Sequence, residues 1–183
     1  MRSPHTWKLI QRKTSGKDGG LFDKNGWEGY KKGFGNLKAG DFWIGLDYLH
    51  YYTTLPKSNW QLLVKYLFKE GGSVIVIYNG FRVESEMEEY RLRIGNLYDA
   101  YGSLSKWKRY YDKLTLHNGA PFSTKDRDND AEGKENCAQT YHGGFWFQPT
   151  EKYSTSCIPF DPPTTTAISN AKEAYMAIRR IDQ

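Results

Sequence analysis

Residues 121–137 constrain the fold more than any other stretch, because three aspartates stand at alternate positions within them: Asp126, Asp128 and Asp130. In an extended or looped backbone, alternate side chains point the same way. Carboxylates crowded on one side repel one another unless water or a cation separates them. Ca²⁺ is well suited to an irregular loop, because backbone carbonyls can complete its oxygen shell, and Gly133 gives the backbone freedom to turn. We therefore expect an irregular calcium-binding loop, with a solvated acidic loop as the alternative.

This loop differs from an EF-hand. The position at which an EF-hand requires glycine holds Ala131, and the position of its bidentate glutamate holds Cys137. If the loop binds calcium, it does so in another geometry.

The composition indicates one domain with an aromatic core. The chain has 183 residues, of which 16% are aromatic although only 38% are hydrophobic, and this length suffices for a substantial core. Buried tyrosine and tryptophan need hydrogen-bond partners. A net charge of +5 spread along the chain favours solubility with weak affinity for polyanions. We find no nucleic-acid-binding motif, and no apolar run approaches the roughly 20 residues of a membrane span.

Two cysteines, Cys137 and Cys157, lie in a stretch rich in glycine, proline and threonine. They are either two reduced thiols or one loop-closing disulfide. A disulfide would contribute roughly 3 kcal/mol in the chain-entropy model and would indicate an oxidising compartment. No spacing of cysteine and histidine suits zinc. Residues 1–6 are polar and show no secretory signal.

Periodicity predicts a sheet with short helices. Apolar runs and alternation indicate strands at residues 7–12, 60–68, 73–78 and 90–94, with an extension at 81–84. Helical spacing indicates helices at residues 27–34, 45–52 and 103–117. Residues 13–25 are rich in glycine, which is typical of turns.

The acidic segment also carries a family resemblance. The motifs that show it most clearly are residues 122–130, 136–138 and 143–146. They resemble the fibrinogen C-terminal globular domain, a family that includes ficolins, tachylectins, angiopoietins and tenascins. The stretches that begin at Trp7 and Trp27 resemble earlier motifs of the same family, so the resemblance covers about residues 7–147.

The resemblance implies an α+β fold: a mixed, largely antiparallel sheet with short flanking helices and an irregular calcium-loop region. It implies a single domain over residues 1–183, well matched at 7–147, and divergent and shortened at 148–183. The segment from Lys172 to Arg180 resembles the family's final strand, which runs back through the central sheet.

The resemblance also implies a set of calcium ligands. Asp128 and Asp130 match the side-chain ligands, whereas the backbone carbonyls of Glu132 and Lys134 match two others. Asp126 would support the loop without binding the ion.

A ligand pocket and a disulfide follow from the same resemblance. Cys137 matches a half-cystine whose partner is Cys157. In lectin-like members the peptide bond before this cysteine, here Asn136–Cys137, is cis and presents backbone N–H groups to an acetyl group. The residues that would line that pocket are Asn136, Cys137, Ala138, Tyr141 and His142.

For function, the resemblance implies an extracellular, non-enzymatic lectin of ficolin type that binds acetylated glycans or surface patterns in innate defence. One alternative is a protein–protein or extracellular-matrix module of angiopoietin or tenascin type. Another is a degenerate domain that binds no ligand, since the excursion that supplies one pocket wall is missing after Cys157. The enzymatic competitor is a metal-assisted hydrolase with His142 as its base. Self-association would use regions outside this sequence.

Overall fold

One antiparallel sheet runs through most of the described chain. The structure is a computed structural model that describes residues 6–14, 20–38, 40–102, 114–130, 133, 135–148 and 171–181. In spatial order the seven strands are β2 (Phe34–Gly35), β3 (Phe42–Trp43), β1 (Lys8–Thr14), β9 (Ala171–Arg180), β4 (Trp60–Phe68), β5 (Ser73–Tyr78) and β8 (Leu97–Gly102). A separate ladder joins β6 (Arg82–Val83) to β7 (Leu92–Arg93). The predicted fold class is confirmed.

The last strand, β9, lies at the centre of the sheet between β1 and β4. Met176 of β9 stands opposite Gln11 of β1 on one side and Val64 of β4 on the other. Ala174, Met176 and Ile178 are all buried, as expected for one face of a strand that packs on the core. The prediction that the final strand runs through the middle of the sheet is confirmed.

In the described part of the chain, four short α-helices accompany the sheet: α1 (Gly20–Lys24), α2 (Trp27–Lys32), α3 (Leu46–Thr53) and α4 (Cys137–Thr140). Helix α2 is followed by its C-cap residue Gly33, whose φ of 94° favours glycine. A Cβ at this position would lie 2.6 Å from the carbonyl oxygen of Ile44, so a larger residue would clash with the backbone. No helix of the described segments is long and apolar enough to cross a membrane.

The differences from the sequence prediction concern short elements. Residues 20–24 form α1 where turns were predicted, because Phe22 is fully buried against Phe34 and this packing outweighs the glycine signal. Strand β8 was not predicted, since it lies at an edge of the sheet and most of its residues are exposed. Most of the predicted helix at 103–117 lies outside the described residues, and Leu114–His117 forms a 3₁₀ turn.

A layer of aromatic rings lies beneath the acidic segment. Phe122 packs against Trp43 and Trp146, with ring centroids 6.2 Å and 5.1 Å away. The Trp43 indole donates a 2.8 Å hydrogen bond to the carbonyl oxygen of Tyr30, and the Trp146 indole donates one of 2.7 Å to that of Tyr90. Both buried indoles are therefore satisfied, and the layer forms a fixed base for the loop above it.

Candidate calcium loop and recognition surface

The acidic segment is an irregular loop that backbone hydrogen bonds hold at its start. Ser123 and Phe145 exchange two bonds of 2.9 Å and 3.1 Å, and Thr124 and Arg127 exchange two more of the same lengths. Both contacts are isolated bridges that lie outside any strand. The backbone therefore forms a closed turn before Asp128 and has no regular structure from there to residue 130, as predicted.

Asp126 caps helix α2 from a distant part of the sequence. Its Oδ1 accepts hydrogen bonds from the Trp27 backbone N–H at 2.9 Å and from the Thr124 hydroxyl at 2.7 Å. Gly26, at the start of the helix, has no side chain that could act as a cap. Desolvation acts to raise the pKa of Asp126, but the hydrogen bonds from Thr124 and Trp27 outweigh it and hold the pKa below its ordinary value. This carboxylate supports the loop.

Asp128 and Asp130 lie on either side of a residue that anchors the loop. The backbone N–H of Asn129 donates to the Ser123 hydroxyl at 3.1 Å, and its side-chain amide donates to the Phe122 carbonyl at 2.8 Å. Asp128 is exposed, and its Oδ1 accepts from the Asp130 N–H at 3.3 Å. The anchor therefore fixes the backbone from which both predicted ligands extend.

The chemistry of this loop fits a hard cation. Oδ2 of Asp130 accepts a 3.0 Å hydrogen bond from the Cys137 N–H, which orients that carboxylate. Two aspartates cannot fill a calcium shell of about six to eight oxygens, so backbone carbonyls or water would have to supply the rest. Glu132 and Lys134, the predicted carbonyl ligands, lie outside the described residues. Within the described segments, no three acidic, histidine or cysteine side chains converge on one point.

Asn136 caps the start of helix α4. Its side-chain oxygen accepts from the Gln139 N–H, and its amide nitrogen donates to the Thr124 carbonyl, both at 3.1 Å. The Asn136–Cys137 peptide bond is trans, so the cis bond that the resemblance implied is absent at this position. Both polar ends of the Asn136 side chain are thus used within the protein.

Cys137 is fully buried and takes part in a disulfide. The only other cysteine in the sequence is Cys157, which lies outside the described residues. The backbone N–H of Cys137 already donates to Asp130. The group that was expected to face an acetyl ligand is therefore engaged within the loop.

The other three predicted pocket residues have different surroundings. Ala138 is fully buried. The ring of Tyr141 stacks on Phe147, with centroids 5.9 Å apart. The side chain of His142 is 58% exposed and its Nδ1 lies 3.5 Å from a carboxylate oxygen of Asp23. Ala138 is thus enclosed in the core, whereas the His142 side chain is largely exposed.

The sequence prediction missed an acid that ties the loop to helix α2. Glu86 was expected in an exposed turn, but its Oε1 accepts a 2.8 Å hydrogen bond from the Trp27 indole, and its Oε2 pairs with Lys31. The guanidinium of Arg127 lies 4.0 Å from the centroid of the Trp27 ring and 3.9 Å from Glu86 Oε1. Hydrogen bonds from Lys31 and Trp27 lower the pKa of Glu86. No local spacing indicates contacts this distant in sequence.

The contacts of Glu86 with Trp27 and Arg127 bring two exposed segments of the chain together. We call residues 86–88 and 126–130 the loop surface. Met87, at the tip of the first segment, is 97% exposed, and Asp128 is exposed on the second. The loop surface therefore carries an exposed apolar side chain, an arginine and two aspartates that the sequence predicted as ligands.

Sequence comparison places the chain among known domains. The family described as "Fibrinogen beta and gamma chains, C-terminal globular domain" matches residues 2–156. Angiopoietin-related protein 2 of Homo sapiens is 38% identical over 144 residues, which are 79% of this chain and 26% of that protein. Angiopoietin-related protein 1 of Homo sapiens is 37% identical over the same shares. The chain thus spans about a quarter of the length of these relatives.

Solved structures agree with this placement. The fibrinogen-like globe domain of human ANGPTL2 superposes with a TM-score of 0.71 at 31% identity, covering 97% of this chain and 82% of that one. Lamprey fibrin D-dimer, solved in complex with the peptide ligand Gly-His-Arg-Pro-amide, gives a TM-score of 0.68 at 21% identity, covering 98% of this chain and 62% of that one. The second likeness concerns the fold alone.

Proposed function

The chain belongs to the fibrinogen C-terminal globular domain family, and on that premise we propose that it is an extracellular protein-recognition module of angiopoietin-related type. The family assignment confirms the expectation of a non-enzymatic interaction module. The partner in this proposal is another extracellular protein, which the loop surface contacts.

The exposure of Met87, which follows Glu86 in a 3₁₀ turn, is the observation that carries the proposal. Protein interfaces are enriched in methionine and arginine. The guanidinium of Arg127 lies 3.9 Å from Glu86 Oε1, so the segment that carries Met87 and the segment that carries Arg127 meet at this surface. An exposed apolar side chain on a surface that also carries a cation suits a protein partner.

A ficolin-type lectin is less well supported. The acetyl site implied by the resemblance required a cis bond before Cys137 and a backbone N–H facing the ligand. The bond is trans, and that N–H donates to Asp130. The relatives described above are angiopoietin-related proteins, which favours the alternative over the lectin and over a role in innate defence.

Calcium is part of the proposal as a structural ion. It would bind Asp128 and Asp130 together with the carbonyls of Glu132 and Lys134. Bound there, it would neutralise the acidic loop and hold the loop surface in one conformation. Loss of the ion would then weaken partner binding by loosening the surface.

The test uses fluorescent tetramers of the chain on cultured cells. Cells are treated either with trypsin, which removes protein ectodomains, or with glycosidases and mild periodate, which destroy sugars. A protein partner predicts that trypsin abolishes binding and that deglycosylation leaves it intact. The reverse pattern would contradict the proposal and restore the lectin.

A pair of variants locates the contact. Met87→Glu places a charge at the exposed tip and should weaken cell binding at least about tenfold, since an apolar contact becomes a buried charge. Leu37→Glu is the matched control, because Leu37 is a 45% exposed apolar residue outside the loop surface. Equal loss in both variants would argue against the loop surface.

A further inference from the structure

A concave site lies on elements that the loop surface does not use. Residues 53–60 and 80–82 line a cleft of about 350 Å³, which we call the Lys57 cleft. It lies between the end of α3, the start of β4 and the corner that follows β5. Its volume is at the lower end of the range for small-ligand sites, about 300 to 1,000 Å³.

The charge around the Lys57 cleft is positive. Lys57 and Arg82 line it, and none of the lining residues that the structure describes is acidic. The side chain of Glu84, which is 11% exposed, pairs with both Arg82 at 3.0 Å and Arg93 at 3.1 Å. Arg180 adds a further cation, because its guanidinium donates to the Lys57 carbonyl at 3.3 Å. Glu84 thus pairs with two of these cations, Arg82 and Arg93, and the basic side chains that line the cleft favour an anion.

The backbone holds Lys57 in an unusual conformation. The Ser58 N–H donates to the Leu55 carbonyl at 3.1 Å and closes a turn in which Pro56 precedes Lys57. Lys57 has φ 56°, at the position where such a turn normally takes glycine. A non-glycine residue in this region is strained, because its Cβ crowds the following carbonyl oxygen. Strained residues of this kind cluster at ligand sites, where the strain fixes a side chain in place.

The hydroxyl groups of the cleft are restricted to accepting hydrogen bonds. Thr54 uses its single hydroxyl proton on the His50 carbonyl at 2.7 Å, and Ser58 uses its own on the Leu55 carbonyl at 2.6 Å. Each oxygen retains lone pairs but has no proton to offer. A complementary ligand therefore brings an oxyanion for the cations and donor hydroxyls for these oxygens.

We propose that the Lys57 cleft binds an acidic saccharide, independently of calcium and of the loop surface. The sulfate or carboxylate of the sugar lies between Lys57 and Arg82, and the ring hydroxyls donate to Thr54 and Ser58. An acidic peptide supplies the oxyanion but lacks the ring hydroxyls, so the sugar is the better match.

The experiment records amide chemical shifts of the ¹⁵N-labelled chain in chelator during titration. The probes are N-acetylglucosamine 6-sulfate, glucuronic acid, neutral N-acetylglucosamine, inorganic sulfate and an acetylated Asp-Asp dipeptide amide. We expect shifts confined to residues 53–60 and 80–82 with at least one acidic sugar, at an affinity about tenfold above the neutral sugar, as expected for one lost charged hydrogen bond. Comparing the sulfated sugar with glucuronic acid identifies the preferred oxyanion.

Variants separate binding from folding. Arg82→Gln and Lys57→Gly should each weaken binding of the acidic sugar about tenfold, whereas Lys38→Gln, at an exposed site elsewhere, should not. Lys57→Gly also relieves the strained φ, so its melting temperature should not fall. Three results would each overturn the proposal. One is that inorganic sulfate or the dipeptide binds as tightly as the acidic sugar, and another is that the chemical-shift changes centre on the loop surface. The third is that Lys57→Gly and Arg82→Gln bind the acidic sugar with unchanged affinity.

Discussion

The carboxylate of Asp126 and the backbone N–H of Trp27 share a 2.9 Å hydrogen bond across 99 residues of sequence. The Trp27 ring packs on Tyr90, with centroids 5.6 Å apart, and Arg127 covers the ring at 4.0 Å. Its indole N–H donates to Glu86. The loop surface therefore contacts Trp27 at its backbone N–H, at its indole N–H and at the face of its ring. These contacts attach the loop to the aromatic layer.

Removing the cap should destabilise the protein. Asp126→Ala leaves the Trp27 N–H without its acceptor, and loss of a helix N-cap typically costs about 1 to 2 kcal/mol. Urea unfolding in chelator measures this without any contribution from metal. Asp99→Ala, at an exposed position on β8, is the control and should change the unfolding free energy by less than about 0.5 kcal/mol. Equal stability of the two variants would show that the bond is dispensable.

Gly26 should tolerate no side chain while Asp126 is present. A Cβ at Gly26 would lie 2.3 Å from Asp126 Oδ2, so Gly26→Ala must displace the carboxylate or the helix. We expect a loss of about 1 to 3 kcal/mol, and less in the Asp126→Ala background, because neighbouring changes are not additive. The control is Gly133→Ala, since a Cβ there meets no atom within 4 Å. If the double variant lost as much unfolding free energy as the two single variants together, the clash between the Gly26 Cβ and Asp126 would be contradicted.

The sequence allowed the sheet to be predicted because its signals are local. The continuous β-branched run of β5 and the apolar pattern of β4 each lie within one segment, and residues 60–68 and 73–78 emerged with the predicted bounds. Helix α2 followed from the spacing of Trp27 and Tyr30, which are both buried. It ends at Lys32, two residues before the predicted end, because Gly33 takes a positive φ.

The contacts of the site were beyond the reach of sequence patterns. Asp126, Asp128 and Asp130 look equivalent in an alternating motif, yet the fold assigns Asp126 to a helix cap and Asp130 to the Cys137 N–H. Glu86 stood in what looked like a solvated acidic turn. The family resemblance gave Asp126 a supporting role, but it did not identify the Trp27 N–H that this carboxylate caps. These contacts join chain segments that meet only in the folded state, so the alternating motif alone located the loop without distinguishing its members.

Stability should fall on acidification through two of these carboxylates. The folded-state pKa values of Asp126 and Glu86 are both lowered, so their contribution is fully present above the ordinary values of about 4. It is lost as the pH falls through the lower, folded-state values. Asp126→Asn and Glu86→Gln should each flatten the stability profile below about pH 4, by a small amount because solvent screens both carboxylates. Urea unfolding midpoints at several pH values measure this. The prediction would be refuted if the midpoints of the variants fell with pH as steeply as those of the unaltered chain.

The buried Cys137 should give no free thiol. Thiol titration of the unfolded, non-reduced protein should detect none, and titration after reduction should detect both cysteines of the sequence. Reduction should also lower the unfolding free energy by roughly 3 kcal/mol. Two thiols before reduction would mean that Cys137 and Cys157 are not bridged in solution.

Calcium should stabilise the protein through Asp128 and Asp130. An ion at 100 times its dissociation constant adds about 2.7 kcal/mol, which raises the melting temperature of a domain this size by roughly 5 to 10 °C. Asp128→Asn should lose that increase while melting like the unaltered chain in chelator, because Asp128 is exposed. Asp130→Asn should lose the increase and also melt somewhat lower in chelator, because its carboxylate accepts from Cys137. Asp99→Asn serves as the charge control. Scanning calorimetry with calcium and with chelator measures these melting temperatures. Identical curves for the unaltered chain in both buffers would mean that these aspartates hold no structural ion. The loop would then be the solvated acidic segment that was the alternative.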